Sequence, residues 1–336
     1  MKKRVGRNLI VIGVLGVWML LFHNIDLASA KDPDYPTKPI NFFISFAAGG
    51  VTDISARAFL EAAAKHIEQP FVPINKPGGG GVVAATAVMN SQPDGYTLGT
   101  VTTSAGIAAP CSGEAPYKDL SGFTLIMNFG NYLYPIFVKS DAPWKTWKEF
   151  IEWAKKTPRA AKIGITGGKA VTNQGFVLGQ VEKKEQVEFT CIPFKSSSEC
   201  FSATIGGHVT AYCGSMDMTS ATYLKEGKIR LIAYWGSEKL SGFENIPTTQ
   251  ELYGVSSPNI IGVFGPKGLP DYVLKKLDGV FAKAVKDPNF IDVMNRMYSP
   301  VVYMNRDQMS KYVEKTLPEV CRVFEMLRAE EAKGKK

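Results

Sequence analysis

The chain has 336 residues, 45% of them apolar and 21% charged, with a formal net charge of +8 at pH 7. At about 150 residues per domain this length suggests two domains, and the composition excludes a disordered, collagenous or disulfide-dense chain. Beyond Lys2, Lys3, Arg4 and Arg7 the basic residues are spread along the sequence, with a block only at Lys333, Lys335 and Lys336, unlike the basic face of a nucleic-acid binder.

The N-terminus reads as an export leader. Lys2, Lys3, Arg4 and Arg7 precede an apolar run, Leu9 to Phe22, and Ala28-Ser29-Ala30 forms a small-x-small cleavage signature. The apolar run is shorter than the ~20 residues a spanning helix needs. Cleavage after Ala30 and a soluble, exported chain are therefore expected.

Beyond the leader, β-branched apolar runs alternate with helical patterns. Strands are expected at 41–46, 96–102, 133–138, 162–166, 188–194, 209–215, 229–235 and 259–265. Trp147, Phe150, Ile151 and Ala154 recur at helical spacing, as do Leu274, Leu277, Phe281 and Ala284 before Asp287-Pro288. Asn305-x-x-Gln308 resembles a capping box opening a helix with Met309, Tyr312 and Val313 on its apolar side. This alternation predicts an α/β protein with mainly parallel sheets flanked by helices. No long linker divides the chain, so two crossings through the runs at 133–138 and 259–265 are expected. They give residues 1–30 as a signal peptide, 31–137 plus 262–336 as a discontinuous first domain, and 138–261 as the second.

Five cysteines (Cys111, Cys191, Cys200, Cys213 and Cys321) leave at least one unpaired within a single chain. Cys191 and Cys213 lie on two expected strands and could be neighbours; buried thiols are an equal alternative. Only His66 and His208 follow the leader, and no Cys/His cluster has zinc spacing. No metal or cofactor is expected.

Several glycine-rich or hydroxyl-rich turns follow expected strands. Phe46-Ala47-Ala48-Gly49-Gly50-Val51-Thr52-Asp53 opens a helix, and a glycine turn at a helix N-terminus presents N–H groups and a positive dipole end to an anion. It serves equally well as an ordinary strand-to-helix turn capped by Asp53. Asn75-Lys76-Pro77-Gly78-Gly79-Gly80-Gly81 fails the dinucleotide spacing, with Val83 at the third-glycine place. Thr166-Gly167-Gly168-Lys169-Ala170 lacks the upstream glycine and the magnesium-binding hydroxyl of a phosphate loop, but precedes a helix containing Asn173. Thr102-Thr103-Ser104-Ala105-Gly106 departs from a nucleophile elbow at its first glycine. A hydrolase using Ser104 would need a base that neither His66 nor His208 obviously supplies. Gly214-Ser215-Met216-Asp217 follows another strand. Ligands in such sheets bind beyond strand carboxyl ends, so these turns describe a cleft between two domains.

The motifs then form a series. Phe46 to Asp53 resembles F-P-P-G-G-x-T-D, with Ala47 and Ala48 in place of the prolines. Asn75 to Gly81 resembles N-R-P-G-A-G-G, and Pro93-Asp94-Gly95-Tyr96-Thr97-Leu98 is P-D-G-Y-T-L. Ile205-Gly206-Gly207-His208-Val209, Ile246-Pro247-Thr248-Thr249-Gln250-Glu251 and Gly265-Pro266-Lys267-Gly268-Leu269-Pro270 follow in order. Together they resemble the substrate-binding proteins of tripartite tricarboxylate transporters, the TctC or Bug family, over nearly the whole chain after the leader. The resemblance implies a two-domain periplasmic binding protein of Venus-flytrap form with no catalysis. It implies capture of a small organic carboxylate (di- or tricarboxylate, or aromatic acid) and delivery to a permease of one large and one small membrane subunit. A monomer is expected. By the same resemblance Ala48, Gly49, Thr52, Asp53 and Ser104 are contacts from the first domain. Thr166, Gly167, Asn173 and Asp217 are contacts from the second, and Lys169 is a cation for a second ligand carboxylate. A ligand-sensing module with a signalling partner is the other binding role left open.

Overall fold

The computed structural model describes residues 33–169, 172–235, 239, 242–255 and 258–334; the expected leader lies outside them. Two five-stranded sheets organise the chain. The first has the order β2 (Phe71–Asn75), β1 (Ile40–Ile44), β3 (Thr97–Thr102), β10 (Ile261–Pro266), β4 (Phe123–Gly130). The second has the order β7 (Thr190–Phe194), β6 (Lys162–Thr166), β8 (Ala211–Cys213), β5 (Tyr134–Lys139), β9 (Ile229–Trp235).

Each sheet is mainly parallel with one reversed strand. β10 runs antiparallel to both β3 and β4, and β5 antiparallel to both β8 and β9. These are the two strands that the chain enters on passing from one sheet to the other. β5 lies wholly within the second sheet, whereas the expected boundary at residue 138 falls inside it. The turn before it, Asn131 to Leu133, makes the passage.

The helices in chain order are α1 (Val51–Ala64), α2 (Val82–Met89), α3 (Ala109–Ser112), α4 (Trp147–Lys156), α5 (Asn173–Glu185), α6 (Ser197–Ile205), α7 (Met218–Lys225), α8 (Thr249–Tyr253), α9 (Asp271–Ala284), α10 (Pro288–Arg296) and α11 (Arg306–Gly334). The expected apolar faces of α4 and α9 are buried. The capping box of α11 forms: Asn305 N–H donates to Gln308 Oε1 at 3.0 Å and Gln308 N–H to Asn305 Oδ1 at 2.9 Å. Asp287 does more than end α9, since its carboxylate accepts from Asn289 and Phe290 N–H and starts α10.

Phe59 of α1 is fully buried and joins three elements, stacking on Phe129 of β4 and packing against Phe281 of α9 and Phe290 of α10. Burial of one such ring contributes about 1.5–3 kcal/mol, so this cluster fixes α1 against the first sheet. Helix α11 packs on β4, α3 and α5. A disulfide from Cys111 of α3 to Cys321 of α11 holds it on the first sheet's side, and Phe324 reaches Phe176 of α5 on the other. Of the two readings of Cys191 and Cys213, the free thiols hold: with Cys200 they are unbridged, and the strand β6 lies between Cys191 and Cys213 on their sheet.

Candidate functional site

The turns beyond β1, β3, β6, β7 and β8 converge on one narrow concavity between the two sheets. From the first side come Phe46, Gly50, Val51 and Thr52, then Thr102 and Ser104. From the second come Thr166, Gln174, Ser197 and Ser215. Tyr132 and Tyr134 enter from the joining segment.

Local chemistry explains why the first turn is held as it is. Gly49 has φ +81°, a left-handed conformation that glycine adopts without a Cβ penalty. Gly50 is the extended N-cap of α1 and brings no side chain to the cap. Asp53 supplies the acceptor instead. Its Oδ2 accepts from Gly49 N–H at 3.0 Å, and its Oδ1 from Arg57 Nε at 2.7 Å and Asn75 Nδ2 at 2.8 Å. Asn75 Nδ2 also donates to the Phe46 carbonyl at 2.9 Å. The carboxylate therefore fastens the turn from behind, and Asp53 is absent from the cavity lining. Ala48 and Gly49, also expected as contacts, are exposed and outside it.

Of the residues named from the sequence, Thr52, Ser104 and Thr166 line the cavity. Gly167 lines an adjoining groove with Gly78 to Gly80 and Lys195. Asn173 supports from the rim: its N–H donates to Ser104 Oγ at 3.2 Å, and its Nδ2 to the Pro258 carbonyl at 3.4 Å. Asp217 caps α7, accepting from Ser220 N–H at 2.8 Å, while Ser215, two residues earlier, faces the cavity. Lys169 is committed elsewhere. Its Nζ lies 2.5 Å from Glu182 Oε2, the carboxylate whose other oxygen accepts from Phe189 N–H. A cation for a second ligand carboxylate is not what this position supplies in this arrangement.

Sequence reasoning missed Tyr132, Tyr134, Gln174, Ser197 and Ser215. Ser197 carried a signal, because Ser196-Ser197-Ser198 follows a strand like the other turns, and its N-cap Ser196 accepts from Glu199 N–H. Ser215 lay inside a motif that was read through its aspartate. The tyrosines carried no local signal.

The lining bears hydroxyls and amides but, among the described residues, no charged side chain. Positive potential comes from the backbone: α1, α5 and α6 all begin at the cavity. First-turn N–H groups lack intrahelical acceptors and sit at the positive end of the dipole. Burial pushes the hydroxyls of Tyr132 and Tyr134 well above their ordinary value, so both stay protonated donors; Tyr132 OH and Thr52 Oγ1 are 2.7 Å apart. Among the described residues no histidine or carboxylate lines the cavity beside Ser104, and its Oγ accepts from the Asn173 N–H, so none of them supplies the proton acceptor a hydrolase would need there.

Among the described residues, hydrogen bonds join the halves across this cavity. Val51 N–H donates to Ser197 Oγ at 3.2 Å, Asn173 N–H to Ser104 Oγ, and Ala47 N–H to the Lys195 carbonyl at 3.4 Å.

A family model, "Tripartite tricarboxylate transporter family receptor" (TctC), matches residues 55–328. A Cupriavidus necator protein named "UPF0065 protein in gbd 5'region" is 31% identical over 301 residues, covering 89% of this chain and 90% of its own. A solved "periplasmic transporter" superposes with a TM-score of 0.80 at 26% identity, over 87% of this chain and 98% of that one. MatC from Rhodopseudomonas palustris with bound malate superposes with a TM-score of 0.78 over 86% of this chain and 100% of its own; at 22% identity it shares the fold alone.

Proposed function

Because this chain belongs to the tripartite tricarboxylate transporter receptor family, whose members are binding proteins and not enzymes, we propose that it captures a small organic carboxylate between its two halves and hands it to a membrane permease. The observation that carries this reading is the cavity's make-up: hydroxyls, amides and the N-termini of three helices, with no charged side chain in the lining. Fixed dipoles stabilise an anion without a counter-charge that would hold it too firmly to release. One ligand carboxylate sits at the start of α1, against the first-turn amides, Thr52 and Ser104. The turn closed by Asp53 and Asn75 keeps those amides in place. The two halves close on the ligand as a hinge, and the contacts from Val51 to Ser197 and from Asn173 to Ser104 belong to the closed form. MatC, which shares this fold, holds malate, a compound of this class.

The receptor works in the periplasm, reached through the leader ending at Ala30; a purified exported protein whose N-terminal peptide begins upstream of Lys31 would contradict that cleavage. A thermal-shift screen against a carboxylate panel tests the function. A ligand at about 100 times its Kd, binding only the folded state, adds about 2.7 kcal/mol. A shift with one class of acid, without consumption of the compound, supports the receptor reading. A well-folded sample that no acid shifts rules it out.

A further inference from the structure

Granting that the cavity takes a carboxylate, its second-sheet wall holds a pair of side chains suited to something else. Gln174, in the first turn of α5, lines the cavity and is only 3% exposed. Its Nε2 donates to Thr166 Oγ1 at 2.8 Å, and Thr166 also lines the cavity. Its Oε1 is buried without a hydrogen-bond partner. A native protein rarely leaves such an acceptor unmatched, because the desolvation penalty is not recovered.

The two ends of a side-chain amide are distinguished only by their partners, yet here both orientations lead to the same result. In one, Nε2 donates one proton to Thr166, leaving the threonine proton, the second Nε2–H and Gln174 Oε1 unmatched. In the other, Thr166 donates to Oε1, leaving the two Nε2–H protons and a threonine lone pair. Either way the pair offers at least one donor and one acceptor. An ionised carboxylate can only accept, and an ammonium can only donate; a hydroxyl does both through one oxygen.

We propose that Gln174 and Thr166 together read a hydroxyl group on the ligand, so that this receptor selects hydroxycarboxylates over the same acids without the hydroxyl. The inference rests on the carboxylate reading and narrows it. The start of α1 takes the carboxylate, and the start of α5 takes the hydroxyl. Discrimination comes mainly from the rejected ligand, which buries the pair without satisfying it.

Calorimetric titration with matched acids tests this: malate against succinate, 2-hydroxyglutarate against glutarate and lactate against propionate, with aspartate and glutamate alongside. Among acids that bind, the hydroxylated member is expected to bind about ten- to a hundredfold more tightly, the range that one unmatched buried group produces. Gln174→Met keeps the side-chain length but removes both polar atoms; it should bring the pair to within about threefold, the size of effect left when no buried polar group is orphaned. Thr166→Val should act in the same direction, with thermal melting used to confirm that both variants fold. Equal affinities in the wild-type protein overturn the hydroxyl assignment while leaving the carboxylate reading standing. Preference for aspartate over malate overturns it in favour of an ammonium. Retained discrimination in folded Gln174→Met removes Gln174 from the role. If no acid binds at all, the receptor reading fails and this inference fails with it.

Discussion

The side-chain amide of Asn259 and the backbone of Tyr132 exchange two hydrogen bonds. Tyr132 N–H donates to Asn259 Oδ1 at 2.9 Å, and Asn259 Nδ2 donates to the Tyr132 carbonyl. These residues lie on the two segments that join the sheets, and the phenol of Tyr132 reaches Thr52 at the start of α1. One residue therefore has its backbone in the joint and its hydroxyl in the cavity. Replacing Asn259 with Ala leaves two backbone groups of the joint unmatched, at about 1–3 kcal/mol. The expected outcome is a lower denaturation midpoint together with faster ligand release in stopped-flow measurements. A loss of stability with an unchanged release rate would show that the clasp is structural only.

Gly167 and Gly80 meet across the groove next to the cavity. A Cβ on Gly167 would lie 2.8 Å from Gly80 Cα and 2.9 Å from the Thr172 methyl, and its φ is +89°. Gly167→Ala should therefore hinder closure and weaken ligand binding by about tenfold or more, if even 1.4 kcal/mol of the resulting strain falls on the closed form. Gly207→Ala is the control. Its φ of +73° carries similar backbone strain, but the new Cβ meets nothing within 4 Å. It should lower stability by about 1 kcal/mol and leave affinity unchanged. If the two variants bind alike, close packing at Gly167 does not govern closure.

Lys169→Ala gives a third comparison. The Lys169–Glu182 pair is partly exposed, with the lysine side chain at 37%, and such pairs contribute about 0–1 kcal/mol after screening. Affinity for dicarboxylates should stay within about twofold of wild type, since the pair lies outside the lining. A large loss of dicarboxylate affinity would mean that the lysine leaves Glu182 for the ligand, which would restore the role expected from the sequence.

The pH response follows from the tyrosines. Burial raises the Tyr132 and Tyr134 hydroxyls above their ordinary value of 10.0 in the folded protein. Unfolded chains lose these protons first as pH rises, so the contribution to stability is complete below about pH 10 and is lost above it. Among the described residues the titratable side chains of the lining are the two raised tyrosines, so affinity for a fully ionised acid should be flat from about pH 6 to 9. Denaturation midpoints from about pH 8 to 12 test the first statement and binding titrations from about pH 6 to 9 the second; a binding step near pH 6.5 would reveal a histidine acting on the site.

Much of the fold could be read from local pattern, and the misses have physical causes. The period of Trp147, Phe150, Ile151 and Ala154 gave α4, and Asn305 with Gln308 gave the start of α11. β2 was missed because Pro73 interrupts Phe71–Asn75; an edge strand tolerates it, as a central one would not, and edge position is a property of the sheet. β4 was missed because Thr124, Asn128, Gly130 and Asn131 interrupt the apolar residues of 123–132, and only the run at 133–138 reads as a strand. The cavity shows the same limit. Thr52, Ser104 and Thr166 follow their own strands and could be found from them. Tyr132 and Gln174 come to line one cavity with Thr52 and Ser104 only after the chain has crossed between sheets, and no spacing in the sequence records that crossing.

The sulfur atoms are divided between the two halves of the molecule. Cys111 and Cys321 meet beside the first sheet; Cys191, Cys200 and Cys213 all belong to the second. Burial raises all three of these thiols, Cys191 being pushed up to about 12, and a thiol that keeps its proton neither attacks a disulfide nor is readily oxidised. An odd number of cysteines would expose an exported chain to mispairing and to covalent dimers. In the folded protein the second half withdraws its three thiols from exchange, so the native bridge is not challenged from within the chain.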